Sequence, residues 1–573
     1  MTDLLRDIRH AVRLILKERT FSGTVLLTLA ICLGANAAIY GVVHRVLLDP
    51  LPIYEPDRVV TVFNSYPGAG AERGGNGSFD YFQRRENVPV FDAVALYQTS
   101  GNTVGDAGGT ERASSLRVTP SFLGLLGVSP ALGRGFTEDE MDPGNGQKVI
   151  LTDGYWRDHF AGDPGVVGGE MRIDGRPFTI VGVLPEDFPT LFAPEARFLL
   201  PIVFDQEARQ IDAWHSNNFD MIARLAPGAT VEQATSQNQA LNDRLIDGWP
   251  MANARQLLTD VGYHTVVVST AEDLVRDVSG LLYMLWAGVA FVLLIGCVNI
   301  ANLMLARAQT RVTEVATQLA LGASRTRVAR QLFTESVVMG LIGSGLGVGL
   351  GAVGLRLLEG LGISQLPRGT EISMDASVVA FTLLLGVVAG AAFGLIPMVQ
   401  IFRGDLSPVF RSGGRTGTAS RRAVLLRNTL VTTQVALAFV MLVGAGLMLV
   451  SFRAAQSVDP GFRSEGVLTA FVSLPTSRYE DGEARRRFWD EMLQEVRALP
   501  GVEAASLTTM LPFTGNNSSS VIFPEGYEFA EGESLLSPFQ AVAGPGYFAA
   551  MGIDVLEGRA FEESDGPGTQ QVI

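Results

Sequence analysis

The sequence has few of the residues on which metal, redox and nucleotide chemistry depend. Its 573 residues include two cysteines, Cys32 and Cys297, each inside an apolar run, so no CxxC pair exists and no exported segment can rely on a disulfide. The five histidines, His10, His44, His159, His215 and His264, stand far apart and supply no zinc ligand set. Only two lysines occur, Lys17 and Lys148, and neither lies in GxxxxGK(S/T), the loop that cradles nucleotide phosphates. HExxH and GxSxG are missing as well, and residues 49–279 hold no clustered acid/base set, which argues against catalysis by the chain itself.

Charge is scarce too, at 18% of residues against 47% apolar, and the mean hydropathy of +0.24 is too high for an ordinary soluble or disordered chain. The net charge of −15 is unevenly spread: +3 over 1–48, −15 over 49–278, +8 over 279–455 and −11 over 456–573. Alternating basic and acidic blocks are expected where arginine-rich loops stay in the cytoplasm and acidic domains are exported, and they disfavour nucleic-acid binding.

Five stretches free of charge, 23–43, 280–306, 336–355, 376–402 and 428–452, are each long enough to cross a hydrocarbon core of about 30 Å. Basic residues precede the first span (Arg6, Arg9, Arg13, Lys17, Arg19) and fill the segments between the second and third and between the fourth and fifth. By the positive-inside rule these three segments are cytoplasmic. At 100° per residue Leu4, Leu5, Ile8, Ala11, Val12, Ile15 and Leu16 share one arc and Arg6, Arg9, Arg13 and Lys17 the opposite one, the pattern of a helix lying on the inner leaflet. Ala35-Asn36-Ala37 has the form of a signal-peptide cleavage site, but the apolar run continues to Val43, so the first span reads as a retained anchor.

Residues 49–279 read as an α+β domain. Strands are expected at 59–63, 114–118 and 149–151, and a hairpin at 171–173 turning through Asp174-Gly175 into 178–184. Residues 68–77, with five glycines, read as a mobile loop. Pro120-Ser-Phe-Leu-Gly-Leu-Leu-Gly127 aligns without a gap on Pro545-Gly-Tyr-Phe-Ala-Ala-Met-Gly552, and the match extends from Gly133, Arg134, Phe136 and Glu138 to Gly558, Arg559, Phe561 and Glu563. This is a duplicated unit of parallel topology, each copy following an inside-to-outside span. Val572-Ile573 corresponds to Val149-Ile150, so the sequence reads as part of a longer chain.

Three stretches together resemble the transmembrane subunits of ABC transporters of the macrolide-exporter (MacB-type) and FtsX-like kind, in particular the duplicated, ATPase-free permeases. They are Leu47-Leu-Asp-Pro-Leu-Pro-Ile-Tyr-Glu-Pro-Asp-Arg58; residues 156–188, with Gly162-Asp-Pro164, Val167-Gly168, Ile173-Asp-Gly175 and Val181-Gly-Val-Leu-Pro185; and Asn299-Ile-Ala-Asn-Leu-Met-Leu-Ala-Arg307 followed by Arg311, Glu314, Leu319-Ala-Leu-Gly-Ala-Ser324, Gln331 and Glu335. The expected fold class is a multi-pass α-helical membrane protein with α+β extracytoplasmic, MacB-like periplasmic core domains. Its parts are a cytosolic amphipathic helix (1–20), first span (21–48), periplasmic core domain (49–279), second span (280–306), cytosolic coupling region (307–335), third span (336–358) and fourth span (376–402). Residues 280–402 form the FtsX-like permease domain. A cytosolic linker (403–427), fifth span (428–452) and an incomplete second periplasmic core domain (456–573) follow.

In the cytosolic stretch Val312, Val315, Ala316, Leu319 and Ala320 share one helical face, Glu314 and Gln318 lie on the other, Gly322 is a stop, and Ser324 can cap the next helix. The resemblance implies a short coupling helix that seats on a separate nucleotide-binding subunit, through Arg311, Glu314, Leu319, Ala320, Leu321, Gly322, Ala323 and Ser324; a helix resting on the bilayer is the plainer alternative. Glycines of the third span, Gly343 and Gly347 among them, are expected to let another helix approach, and Asn299 and Asn302 to bond between helices.

The resemblance thus implies a permease subunit that couples ATP hydrolysis by another polypeptide to movement of its extracytoplasmic domains, for efflux or extraction of a drug, peptide, lipid or lipoprotein. The alternative is an FtsX-like signalling or scaffold protein that regulates wall enzymes. No cofactor is expected on this chain, with ATP-Mg on the partner. The expected partners are an ABC ATPase subunit, a periplasmic adaptor and membrane lipids, not nucleic acid. The expected location is the bacterial inner membrane, with the N-terminus cytoplasmic.

Overall fold

The computed structural model describes residues 2–106, 109–249, 253–360, 374–403, 421–474, 481–514 and 536–566, with single positions at 479, 519, 522, 527 and 569. It divides into two compact units, Met1–Asp49 with Leu274–Ser457, and Pro50–Asp273 with Val458–Ile573.

The first unit is helical. Numbered along the whole chain, its helices are α1 (Thr2–Lys17), α2 (Arg19–Val43), α9 (Arg276–Ala320), α10 (Arg325–Gly360), α11 (Ala376–Arg403) and α12 (Arg421–Gln456). Among the described residues five segments are long and apolar enough to cross a membrane, Arg19–Leu48, Arg276–Met304, Arg325–Leu357, Ala376–Leu395 and Asn428–Gln456, and they fall on the five charge-free stretches of the sequence. α2 packs against α9, α10 and α11, burying Val25, Leu29 and Leu33 with Ile300, Met339, Ala389 and Phe393. The cleavage-like Ala35-Asn36-Ala37 lies inside α2 with Asn36 and Ala37 buried.

The second unit is built on an 11-stranded sheet. Its strands are β1 (Val59–Tyr66), β2 (Ala71–Gly74), β3 (Phe91–Asp106), β4 (Gly109–Val118), β5 (Leu132–Gly133), β6 (Lys148–Leu151), β7 (Glu170–Ile173), β8 (Arg176–Val183), β9 (Ala196–Pro201), β10 (Asp220–Leu225) and β11 (His264–Ser269). The main path runs β11-β1-β10-β3-β4-β9-β6-β8-β5, antiparallel apart from β4 with β9 and β6 with β8. Helices α3 (Ser78–Asn87), α4 (Ser121–Leu126), α5 (Asp153–Phe160), α6 (Val231–Gly248), α7 (Ala254–Asp260) and α8 (Thr270–Asp273) fill its connections. Successive side chains of a strand leave on opposite faces. Val60 and Val62 accordingly join Tyr81, Phe82 and Leu241 of α3 and α6, while Val59 joins Phe122 and Leu126 of α4.

The β7–β8 hairpin turns at Asp174 and Gly175, both at positive φ (50° and 75°), as a two-residue turn of this twist requires. The glycine-rich segment departs from the expected mobile loop. Residues 71–74 pair with β1, and Asn76 bridges Phe219. A Cβ on Gly75 would stand 2.8 Å from the Asn217 carbonyl carbon, and one on Gly77 2.9 Å from that of Trp214. These glycines serve close backbone packing.

Beneath them lies a buried polar network. Asp80 accepts from Gly77 N (2.9 Å), Asn64 Nδ2 (3.0 Å) and Trp214 Nε1 (3.1 Å). Arg84 donates to Asn64 Oδ1 (2.7 Å), Thr265 Oγ1 (3.1 Å) and Asn76, and pairs with Asp80 at 3.1 Å. His215 closes the network, its Nδ1 2.7 Å from Tyr66 Oη and its ring stacked on Trp214; burial holds its pKa down at about 4.

Residues 481–514 and 536–566 carry two further helices, α13 (Gly482–Arg497) and α14 (Tyr547–Met551), and repeat several bonds of the first copy. Val128 N donates to Leu123 O and Ile553 N to Phe548 O; Arg134 clasps Glu140 and Arg559 clasps Asp565; Thr137 N and Glu562 N donate to those carboxylates. The bridge Thr508↔Ala543 stands where Tyr97↔Val118 stands in the first copy. With the bridge as guide the sequence match resumes upstream, Pro89, Ala93 and Leu96 on Pro500, Ala504 and Leu507. The stretch between the bridge partners is fourteen residues longer in the second copy, and that insertion hides this part of the repeat from an ungapped comparison.

Candidate coupling site

The apolar part of α9 ends near Met304, but the helix runs unbroken through Ala320. At 1.5 Å per residue its 45 residues extend about 68 Å, roughly twice a hydrocarbon core. A separate short helix between the second and third spans is therefore corrected. Charges such as Arg307, Arg311 and Glu314 end a membrane span without ending a helix, because helix propensity does not require apolar side chains.

At its tip the helix closes with two reverse bonds: Ala323 N donates to Gln318 O (3.0 Å) and Gly322 N to Leu319 O (3.1 Å). Gly322 sits at φ +94°, the left-handed position that favours glycine. Ser324 Oγ then accepts from Arg327 N (3.3 Å) and caps α10. The expected stop and cap both stand where the sequence put them.

Side-chain directions are less uniform than the shared face implied. Leu319 and Ala323 turn inward, half-buried, packing with Leu332 on the buried Val328 and holding the hairpin together. Ala320, Leu321, Gly322 and Ser324 are exposed, and Leu321 is 84% exposed at the tip. Arg311 and Glu314 belong to α9, but their side chains lie outside the described ones.

The base of the hairpin is tied to α1. Asp7, buried, pairs with Arg330 Nε (3.0 Å), and Glu18 pairs with Arg307 (2.5 Å), whose guanidinium also lies over the Phe21 ring. Leu5, Ile8, Val12 and Leu16 of α1 remain exposed as an apolar stripe.

Among the packing residues, Gly343 and Gly347 face α2: an added Cβ would lie 2.7 Å from Leu29 Cβ and 3.0 Å from Leu33 Cβ. The other face of α10 meets α11, where Gly390 and Gly394 stand against the backbone of Ser336, Val337 and Phe333. The i, i+4 spacing of Gly386, Gly390 and Gly394 in the fourth span is the sequence signal for this second contact. Among the described residues no hydrogen bond between helices is seen for the two asparagines. Asn299 is exposed, and Asn302 Oδ1 is buried without a hydrogen-bond partner among the described residues. The interhelical amide is instead Asn36, whose Nδ2 donates to Cys32 O (2.8 Å) and across to Val289 O (2.9 Å).

The geometry can be set beside known proteins. The family described as MacB-like periplasmic core domain matches residues 22–241, and the FtsX-like permease C-terminal family matches residues 286–406. The macrolide export ATP-binding/permease protein MacB of Vibrio parahaemolyticus is 22% identical over 54% of this chain and 45% of its own length. The ABC transporter permease YknZ of Bacillus subtilis is 23% identical over 49% of this chain and 65% of its own. The chain thus spans about half to two thirds of the length of these relatives. The solved periplasmic region of MacB from Actinobacillus actinomycetemcomitans aligns with 41% of this chain and 97% of that structure at 12% identity, with a TM-score of 0.28.

Proposed function

Because this chain belongs to the MacB-type, FtsX-like ABC permeases, we propose that it is the membrane subunit of a transporter whose ATPase is a separate polypeptide. The observation that carries this reading is Leu321. A large apolar side chain stands almost wholly in solvent at the tip of two long helices, where a partner can seat on it and where displacement passes directly into the second and third spans. The partner would carry ATP-Mg and close the cytosolic ends of the spans, and the sheet domains outside would follow. Cargo, whether drug, peptide, lipid or lipoprotein, would be taken from the outer leaflet or the periplasm, with an adaptor protein as a further partner. The chain would reside in the bacterial inner membrane with α1 on the cytoplasmic leaflet. The arginine distribution and the apolar stripe of α1 support that orientation.

Two measurements test this. The full-length protein should co-purify with an ABC ATPase, and Leu321→Asp should reduce recovery of that subunit about tenfold without changing yield of the permease; unchanged recovery, or robust ATP turnover by the isolated chain, would overturn the reading. For orientation, a cysteine at Asp187 should react with an impermeant thiol reagent in intact cells and one at Thr326 should not; the reverse pattern would invert the topology.

A further inference from the structure

β4 is ten residues long, yet β9 pairs with only its second half, from Ser114↔Ala196 to Val118↔Pro201. Pro194 stands just upstream of β9 and has no N–H with which to continue the ladder. The first half of β4 is therefore bonded to β3 on one side and has no strand on the other among the described residues.

The register shows which groups are left over. Asp106↔Gly109 flanks a two-residue connection, so it is a bonded pair, and bonded and non-bonded pairs alternate from there. Glu111 and Ala113 thus spend their N–H and C=O on Val104 and Asn102, whereas Thr110 and Arg112 turn theirs to the open edge. The same alternation sends Val118 O toward the β9 side, where it accepts from Ile202 N at 2.9 Å.

This edge opens onto a cavity of about 860 Å³, within the usual range for ligand sites. Its far wall is the 185–197 stretch, and Tyr155 of α5 lies among its lining. The lining carries five carboxylates against two arginines. Glu111 is engaged by Tyr155 Oη (3.0 Å) and His159 Nε2 (3.0 Å), and Asp153 by Arg157 (2.7 Å). Asp158 and Glu195 make no ion pair among the described residues. Another part of this chain touches the ledge, the Phe471 ring centre lying 3.3 Å from the Arg112 guanidinium carbon, with no strand there among the described residues.

We propose that the open edge of β4 receives an extended cationic peptide, which adds as a strand beside Thr110 and Arg112 and sets lysine or arginine side chains toward Asp158 and Glu195. Backbone pairing supplies affinity with little demand on sequence, and the carboxylates select positive charge. The inference rests on the permease reading in one respect, that the peptide is cargo.

The test uses the purified full-length chain in nanodiscs and a fluorescent decapeptide of alternating lysine and valine, followed by anisotropy. Saturable binding is expected. It should weaken about tenfold or more when one alternate set of peptide nitrogens is methylated but not the other, and also in the double variant Asp158→Asn, Glu195→Gln. Binding indifferent to methylation of either set, equal binding of a glutamate-valine peptide, or no loss in the double variant would each overturn the proposal. A chain that recovers its ATPase but binds no lysine-valine peptide would overturn the proposal and leave the permease reading standing. Peptide that binds without raising ATP turnover of the recovered complex would overturn its assignment as cargo.

Discussion

The two units bury polar groups in opposite ways. In the sheet domain Asp80 and Arg84 are wholly buried, each supported by several partners on α3, β1, β11 and the segment before β10. In the helical unit side chains are dispensed with where helices meet, Gly343 and Gly347 against α2 and Gly390 and Gly394 against α11, and Asn36 makes one bond across to α9. The difference follows from solvent. A water-exposed domain gains from hiding apolar surface and can carry a saturated polar network inside it, whereas helices in lipid gain little from apolar burial and depend on close backbone approach.

The contrast is most exposed to failure at Arg84. Arg84→Ala leaves Asp80 buried without its cation and should cost the domain about 3–5 kcal/mol, read from Trp214 fluorescence during urea unfolding, while membrane helix content stays unchanged. A loss below about 1 kcal/mol would mean the network contributes little. Next is acid. Neutral His215 is held at a pKa of about 4, below its ordinary 6.5, so the unfolded chain takes up the proton first. Stability is therefore full above about pH 6.5 and falls as pH drops toward 4, by at most about 3 kcal/mol, and His215→Gln should flatten that slope.

In the helical unit Gly347→Leu should destabilise by about 1–3 kcal/mol through overpacking, seen as earlier aggregation on heating in detergent. Gly349→Leu, where an added Cβ meets nothing within 4 Å, is the control; equal effects would refute close approach as the cause. Smallest is Asn36→Leu, expected at about 0.6 kcal/mol by the same assay.

The spans were legible because charge-free runs of that length have few other uses, and the Asp174-Gly175 turn because its backbone demands those residue types. The long β3 was not, since Gly101 and Gly105 break its pattern and one of its two flanking strands, β10, is remote in sequence. The glycines at 75 and 77 were misread because composition does not distinguish freedom from crowding. Of the coupling region, the stop and cap at Gly322 and Ser324 are local chemistry and could be read directly. The inward turn of Leu319 depends on Val328, a residue of the next helix, and so could not. Asn36 was overlooked because its alanine neighbours suggested cleavage, and its acceptor, Val289 O, lies 253 residues away.

The tip at Gly322 has a mechanical corollary. Between two helices of 45 and 36 residues the chain leaves only Leu321, Gly322, Ala323 and Ser324, and only Gly322 among them is left-handed. A torque applied there cannot be absorbed along either rod, so it must be taken up as rotation about a handful of bonds, and the azimuth of one helix relative to the other becomes the coordinate that such a push would change.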